Sequence, residues 1–472
     1  MTSTGEVRIG PEAGGVSVQA PPAVRWIVRT LEEAGYEAWA VGGAVRDALL
    51  GLPTGDWDLT TRARPAQVRR LFRRTVPIGV EHGTVGVLAR DGTLYEVTTF
   101  RRDVETTGRH AVVEFADTVE EDLARRDFTV NAVAWHPLRG ERRDPFRGVA
   151  DMESGVLRTV GDPEERFRED YLRVLRALRF AGTFGLTIDP ATWRALTEGT
   201  YHLDHLSAER VREEVLKILE GGGRPSRALG LYAASGVLDA VLPELGGLVG
   251  APRTDGGKDD LWAHALRIVD LLPRRRSDLR MAALFSGLGR DPEGTAAVEA
   301  GERARETLLR TASALERLRF SNQKVRDIAA LTEWAAFFPG EDGSEAELRR
   351  WLSGAGVGRL PALLRIWAAE ARANAMRGSG GLQPSRFLHR RARIRATLAQ
   401  APPLSVEELE LDGGDLIRMG FRPGPYFGEV LRYLLDQVLE EPARNDRAIL
   451  ERLARERLDS WTQEKGSTPD GR

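Results

Sequence analysis

The chain contains no cysteine, which excludes disulfides and thiolate-held zinc. It has no run of about 18 apolar residues, so no membrane-spanning helix is expected. Residues 1–22 lack a basic stretch followed by an apolar one, so no secretory signal is expected either, and the cytoplasm is the expected compartment. Lysine is scarce: only Lys217, Lys258, Lys324 and Lys465 stand among 68 basic residues. The remainder are arginines, whose planar fork suits phosphate recognition, although genomic base composition produces the same bias. Net charge is also nearly absent, at −2. That argues against a nonspecific polycation while leaving room for a local phosphate-binding groove.

What is present is an ordinary globular balance of 42% hydrophobic and 29% charged residues in 472, enough for about three domains at roughly 150 residues each. Residues 23–34 have helical periodicity. Glu37–Val41 reads as a strand running into Gly42-Gly43 and a helix, and Asp56–Thr60 reads as a second strand. Thr84–Ala89 and Thr93–Phe100 read as a hairpin turned at Asp91-Gly92. Beyond about Gly155 the pattern becomes helical, with Gly- and Pro-rich breaks. Neither short repeats nor coiled-coil heptads occur. The order predicts an α+β chain: a flexible tail (1–22), a small mixed α/β head (23–155), a helical neck (156–222), a helical body (223–384), a helical tail (385–461) and a flexible polar end (462–472).

Three constellations carry chemistry. In Gly55-Asp-Trp-Asp-Leu59, strand alternation would project Asp56 and Asp58 from one face. Two adjacent carboxylates repel unless a cation lies between them, and hard oxygen ligands select Mg²⁺ or Mn²⁺. Upstream, Gly42-Gly43 opens a helix and lets backbone approach an anion, with Arg46 one turn in as a further phosphate contact. Glu96, mid-strand among apolar residues, is the candidate third carboxylate, because a buried Glu needs a partner; a salt bridge to Arg101 or Arg102 is the competing reading. Next, Glu121 to Ala132 contains Arg125-Arg-Asp-Phe-Thr-Val-Asn131. On a helix, Asp127 and Asn131 share a face suited to ribose hydroxyls, with Arg126 on phosphate; ion pairing on a helix surface is the competing reading. Finally, in Glu169-Asp-Tyr-Leu-Arg-Val-Leu-Arg176, Asp170 and Arg173 would share a helix face. An ionised Asp only accepts and Arg only donates. That edge matches the amino group and ring acceptor of cytosine and adenine, and mismatches uracil and guanine. An Asp–Arg ion pair on a solvated helix is the plain alternative.

These motifs together resemble the nucleotidyltransferase superfamily of the DNA polymerase β type. The later ones resemble the class II tRNA nucleotidyltransferases (CCA-adding enzymes) and their bacterial poly(A) polymerase relatives. The resemblance implies a template-independent enzyme that adds CCA to tRNA from CTP and ATP, with two Mg²⁺ ions on Asp56 and Asp58. Catalytic Glu96, ribose-binding Arg126, Asp127 and Asn131, and a base-reading set of Asp170, Arg173 and Arg176 are implied with it. Its expected partners are tRNA, CTP and ATP, with no membrane and no obligatory protein partner. CC-adding, A-adding and poly(A)-adding activities are the alternatives within the family. The presence of residues 101–120, a loop region that CC-only members tend to shorten, favours A-competence. Asp144-Pro-Phe-Arg-Gly148 resembles the family's hinge, with Arg147 where a first glycine is usual. Glu209 to Leu219 resembles a supporting fifth motif. Trp262–Asp270 and Met281–Arg290 resemble an HD phosphohydrolase core whose His-Asp positions read Ser286-Gly287, so His264 is expected as a packed core residue. Arg390, Arg391, Arg393 and Arg395 form the densest basic segment and are the candidate RNA-backbone contacts, with a solvated helix face as the competing reading. Residues 409–450 resemble the family's C-terminal helical module.

Overall fold

The computed structural model describes residues 18–107, 110–221, 223–253, 255–289, 297–336, 343–378, 381–420, 424 and 426–466. Most of the expected N-terminal tail lies outside them. The chain divides into two compact units between Gly246 and Gly247.

The first unit opens with α1 (Pro22–Glu33), which starts on a proline and buries Val24, Ile27, Val28 and Leu31. That spacing makes one apolar stripe. There follow β1 (Ala38–Val41), α2 (Gly43–Leu49), β2 (Asp58–Thr61), α3 (Pro65–Leu71), β3 (Thr75–Gly79), β4 (Thr84–Leu88) and β5 (Leu94–Thr99). The hairpin β6 (Arg101–Thr107) and β7 (His110–Phe115) leads to α4 (Val119–Ala124), β8 (Ala134–Trp135), β9 (Arg142–Arg143) and α5 (Gly148–Glu153). The main sheet has the order β3-β4-β5-β2-β1-β8-β9. Every pair in it is antiparallel except β2 with β5. The β4–β5 turn is the expected one, with Gly92 at φ 83°. Trp39, Phe100, Val119 and Leu123 share a core on one side of this sheet.

The neck follows as β10 (Val156–Leu157), α6 (Pro163–Glu169), α7 (Leu172–Phe184), β11 (Thr187–Ile188), α8 (Pro190–Glu198), α9 (Ala208–Glu220) and α10 (Pro225–Ala234). α10 crosses α7 at Gly182, where a Cβ would meet the Ala228 backbone at 2.4 Å. That close approach ties α10 to the neck, although the sequence places it in the body.

Within the described residues the second unit has helices and no strand. Its terminal helix runs from Arg447 to Gly466, so the segment expected to begin a polar end at Thr462 is still helical. His264 is buried as expected, with Nδ1 2.5 Å from Arg253 Nη1. Asp255, Asp259 and Asn374 accept from the same guanidinium. A cationic side chain therefore faces the histidine. In helix Pro384–Ala399, Arg391 and Arg395 are exposed one turn apart. Arg393 instead donates to the Gly343 carbonyl at 2.7 Å and lies 3.5 Å from Glu345, and Arg390 Nε is buried. The four arginines do not form one solvent-facing row.

Candidate active site

One cleft in the first unit, about 350 Å³, is lined by side chains from β2, β4, β5, α4, the segment after α4, and the α6–α7 junction. Asp58 and Thr60 of β2 and Glu96 and Thr98 of β5 contribute to it, with Thr84 of β4 3.0 Å from Thr98. The i, i+2 repeat of two neighbouring strands thus delivers two carboxylates and a band of hydroxyls to one face.

Asp56 precedes β2 rather than lying on it, but the alternation holds: Asp56 and Asp58 are exposed and Trp57 is buried. Although the residue keeps an open edge, the cleft walls desolvate the Asp58 carboxyl and push it up; Arg126 pulls it back, and the negative charges of Glu96 and Asp56 add to the rise. Glu96 is exposed on the cleft side, so the burial that suggested a partner for it does not occur. Arg102 is engaged elsewhere, 2.9 Å from Glu114. Among the described residues no three His, Cys, Asp or Glu side chains form a ready metal cage. A Mg²⁺ held by one or two carboxylates and completed by phosphate oxygens needs none, and the crowding of negative charge around Asp58 fits such a cation.

Gly42 has φ 76° and caps α2. A Cβ there would lie 3.2 Å from Arg126 Nη1 and 3.4 Å from Asp58 Oδ2. Gly42 therefore meets two requirements, a left-handed backbone and close approach to the cleft. Gly43 begins the helix. Arg46 departs from expectation. It is buried, donates to Asn131 Oδ1 at 2.7 Å and Asp47 Oδ1 at 2.8 Å, and covers the Phe184 ring at 4.3 Å. It does not line the cleft. Aromatic packing beneath the short α2 captures this side chain, so it fixes Asn131 instead of meeting phosphate.

Asp127 and Asn131 do pair, Nδ2 to Oδ1 at 3.0 Å, but not on an α-helix: α4 ends at Ala124, and Thr129–Asn131 is a 3₁₀ turn. Arg176 reaches down from α7 and grips Asp127 Oδ2 through two nitrogens at 2.6 and 2.8 Å. Burial alone would raise the Asp127 acid; Arg176 and the bonds from Asn131 and the Phe128 N–H overcome this and hold it low. Arg126 lines the cleft with its Nε buried and without an acceptor.

The base-reading segment is also not one helix. α6 stops at Glu169, Asp170 is extended at φ −158°, ψ 104°, and α7 starts at Leu172. Asp170 and Arg173 both line the cleft, yet they are not each other's partner. Arg173 bonds Glu169 and the Arg166 carbonyl, the latter at 2.8 Å. Asp170 is taken by Arg210 of α9.

Sequence reading missed Asp122, Arg125 and Arg210. Asp122 is 1% exposed and ties Arg125, Arg126 and Thr60 together. The i, i+3 and i, i+4 spacing to the two arginines was the available signal.

A model for the poly A polymerase head domain matches residues 38–158, and one for a probable RNA and SrmB-binding site of polymerase A matches 185–247. The CCA-adding enzyme of Limosilactobacillus fermentum is 32% identical over 92% of this chain and 96% of its own. This chain belongs to the CCA-adding enzyme family. Against the Geobacillus stearothermophilus member it is 42% identical over 53% of this chain and 64% of that one. For several curated relatives the matched part is thus only about half to two thirds of their length. The crystal structure of the Bacillus stearothermophilus CCA-adding enzyme in complex with CTP superposes with a TM-score of 0.68 at 31% identity, covering 95% of this chain and 100% of that one. The Thermotoga maritima CCA-adding enzyme complexed with tRNA shares the fold at 20% identity, with a TM-score of 0.55.

Proposed function

We propose that this protein adds CCA to the 3′ end of tRNA, transferring nucleoside monophosphates from CTP and ATP with release of pyrophosphate. One observation carries the reading: the Asp58–Glu96 carboxylate face and the Asp170–Arg173 junction line the same cleft. A nucleotide lying across it would have its triphosphate at the sheet end and its base at the neck end. The RNA 3′-oxygen attacks the α-phosphorus, the bond to the bridging oxygen breaks, and pyrophosphate leaves with the electron pair. Asp56 and Asp58 would hold Mg²⁺, two ions in the full reading, and the metal supplies charge neutralisation and a more acidic 3′-hydroxyl. Glu96 sets the negative field beside Asp58. Gly42 leaves room for the phosphates, and the cleft-lining Arg126 guanidinium is a donor for one of their oxygens. Asp127, held ionised by Arg176, receives ribose hydroxyls beside Asn131. Asp170 accepts from the base amino group while Arg173 donates to its ring acceptor. tRNA is the RNA partner and the cytoplasm the expected place of work.

Full CCA addition is favoured over CC addition by the β6–β7 hairpin between the carboxylate strands and Arg126. The test uses tRNA transcripts lacking CCA, CA or only the final A, incubated with each nucleoside triphosphate singly and together. Completion of all three ends with CTP and ATP is expected. Arrest after CC, addition of A alone, or long A tails would assign the chain to a CC-adding, A-adding or poly(A)-adding activity instead.

A further inference from the structure

The base-reading carboxylate has a companion that the cleft itself does not include. Arg210 of α9 donates to Asp170 through both terminal nitrogens, Nη1 to Oδ1 at 3.1 Å and Nη2 to Oδ2 at 2.6 Å. The Leu172 N–H also donates to Oδ1, at 3.1 Å. An ionised carboxylate offers about four acceptor sites, two on each oxygen. Oδ1 therefore has both of its sites filled, and Oδ2 keeps one.

Arg210 is itself held in place. Glu214, one turn further along α9, is 1% exposed and accepts from Arg179 of α7 at 2.6 Å. α9 is thereby bolted to α7, the helix that carries Arg173 and Arg176. The carboxylate and the guanidinium that face the base are thus set at a fixed offset by two links from α9, one to the α6–α7 junction at Asp170 and one to α7 at Arg179.

That offset matters because an acceptor-plus-donor pair alone does not exclude uracil or guanine. Uracil offers an N–H at N3 with carbonyls beside it; guanine offers an N–H at N1 beside O6. A carboxylate free to slide by one atom along the base edge would accept that N–H, and the arginine would find a carbonyl. Discrimination requires that the single open acceptor stay opposite the exocyclic amino group.

We propose that Arg210 is a specificity-determining positioning residue: its two-point grip on Asp170 leaves one carboxylate acceptor at one place, which admits the amino group of cytosine or adenine and denies the ring N–H of uracil or guanine. This rests on the base-reading role given to Asp170 above. Losing the grip relaxes selection, and the change appears chiefly as a gain for the wrong bases.

The test is single-nucleotide extension kinetics with the full chain, all four nucleoside triphosphates and a tRNA lacking its CCA end. Arg210→Gln should lower the CTP-over-UTP and ATP-over-GTP ratios of kcat/KM by about 10- to 100-fold, with UTP and GTP values rising. Arg210→Lys, which keeps the charge with less directional control, should fall between and guards against a Gln variant that does not fold. A folded variant that loses activity equally for all four nucleotides, or keeps the wild-type ratios, overturns the proposal. Asp170→Asn is measured alongside. If it alters base choice and neither Arg210 variant does, only the positioning role fails. If none of the three alters base choice, the base-reading assignment fails as well.

Discussion

At the scale of single residues, Asp58 sets stability against use. Desolvation of its carboxylate by the cleft walls, together with Glu96 and Asp56, outweighs the pull of Arg126, so its folded pKa lies above the unfolded one. The sign follows: metal-free protein loses stability as pH rises through the folded value, and the cost is fully present above it. Asp58→Asn removes that charge. At neutral pH in metal-free buffer the variant should have a higher Tm than wild type, incorporate neither C nor A, and show no rise in Tm on adding Mg²⁺. An unchanged Mg²⁺-induced rise would remove Asp58 from the metal site. Asp58 was legible because the alternation Asp56-Trp57-Asp58 repeats every second residue whatever else the fold does. Arg46 was not legible: its place one turn into a helix was correct, but which face meets Phe180 and Phe184 depends on a helix more than a hundred residues downstream.

At the scale of elements, the hinge motif gives its two central positions different demands. The residue in the left-handed region is Arg147, at φ 59°, where the related motif carries glycine. Gly148 is needed for a different reason: a Cβ there would sit 2.0 Å from the Thr129 carbonyl oxygen. Asp144 closes the turn by accepting from the Gly148 and Val149 N–H groups at 2.7 and 3.0 Å. Arg147→Gly relieves a left-handed side chain and loosens the unfolded chain, so it should change stability by no more than about 1 kcal/mol. Gly148→Ala forces overlap and should cost about 1–3 kcal/mol or more. It should also depress activity by shifting Thr129, which begins the turn holding Asn131. Denaturant melts and extension assays of the two variants check both. The same scale explains the split of α6 from α7. The run Glu169 to Arg176 is rich in helix formers, yet the Asp170 side chain bonds the Leu172 N–H, a local bond that competes with helix continuation. Asp127 and Asn131 met as their four-residue spacing suggested, but through a 3₁₀ turn.

At the scale of the whole molecule, an α+β head followed by helices was readable from where strand signals end, and the Asp91-Gly92 hairpin from its turn chemistry. The basic segment of helix Pro384–Ala399 was only half readable, because charge density does not say which arginines the body retains. Arg391→Gln with Arg395→Gln should raise the tRNA KM, leave kcat near wild type and flatten the salt dependence by about one to two units of log–log slope. Arg393→Gln should lower Tm instead, through its bond to Gly343. A salt titration of tRNA binding separates them, and an unchanged slope in the double variant would return the helix face to plain solvent.

The parallel pairing of β2 with β5 sets an order of assembly. Its neighbours β4 and β5 are joined by a tight turn and can close locally, whereas β2 reaches β5 only after α3, β3 and β4 have been laid down between them. Pairings across such a crossover form slowly. Asp58 and Glu96 are therefore expected to come together late on the route to the native state. A cation that needs the completed cleft should slow unfolding of the head without speeding its refolding, a separation that stopped-flow tryptophan fluorescence with and without Mg²⁺ would record in the two limbs of the kinetics.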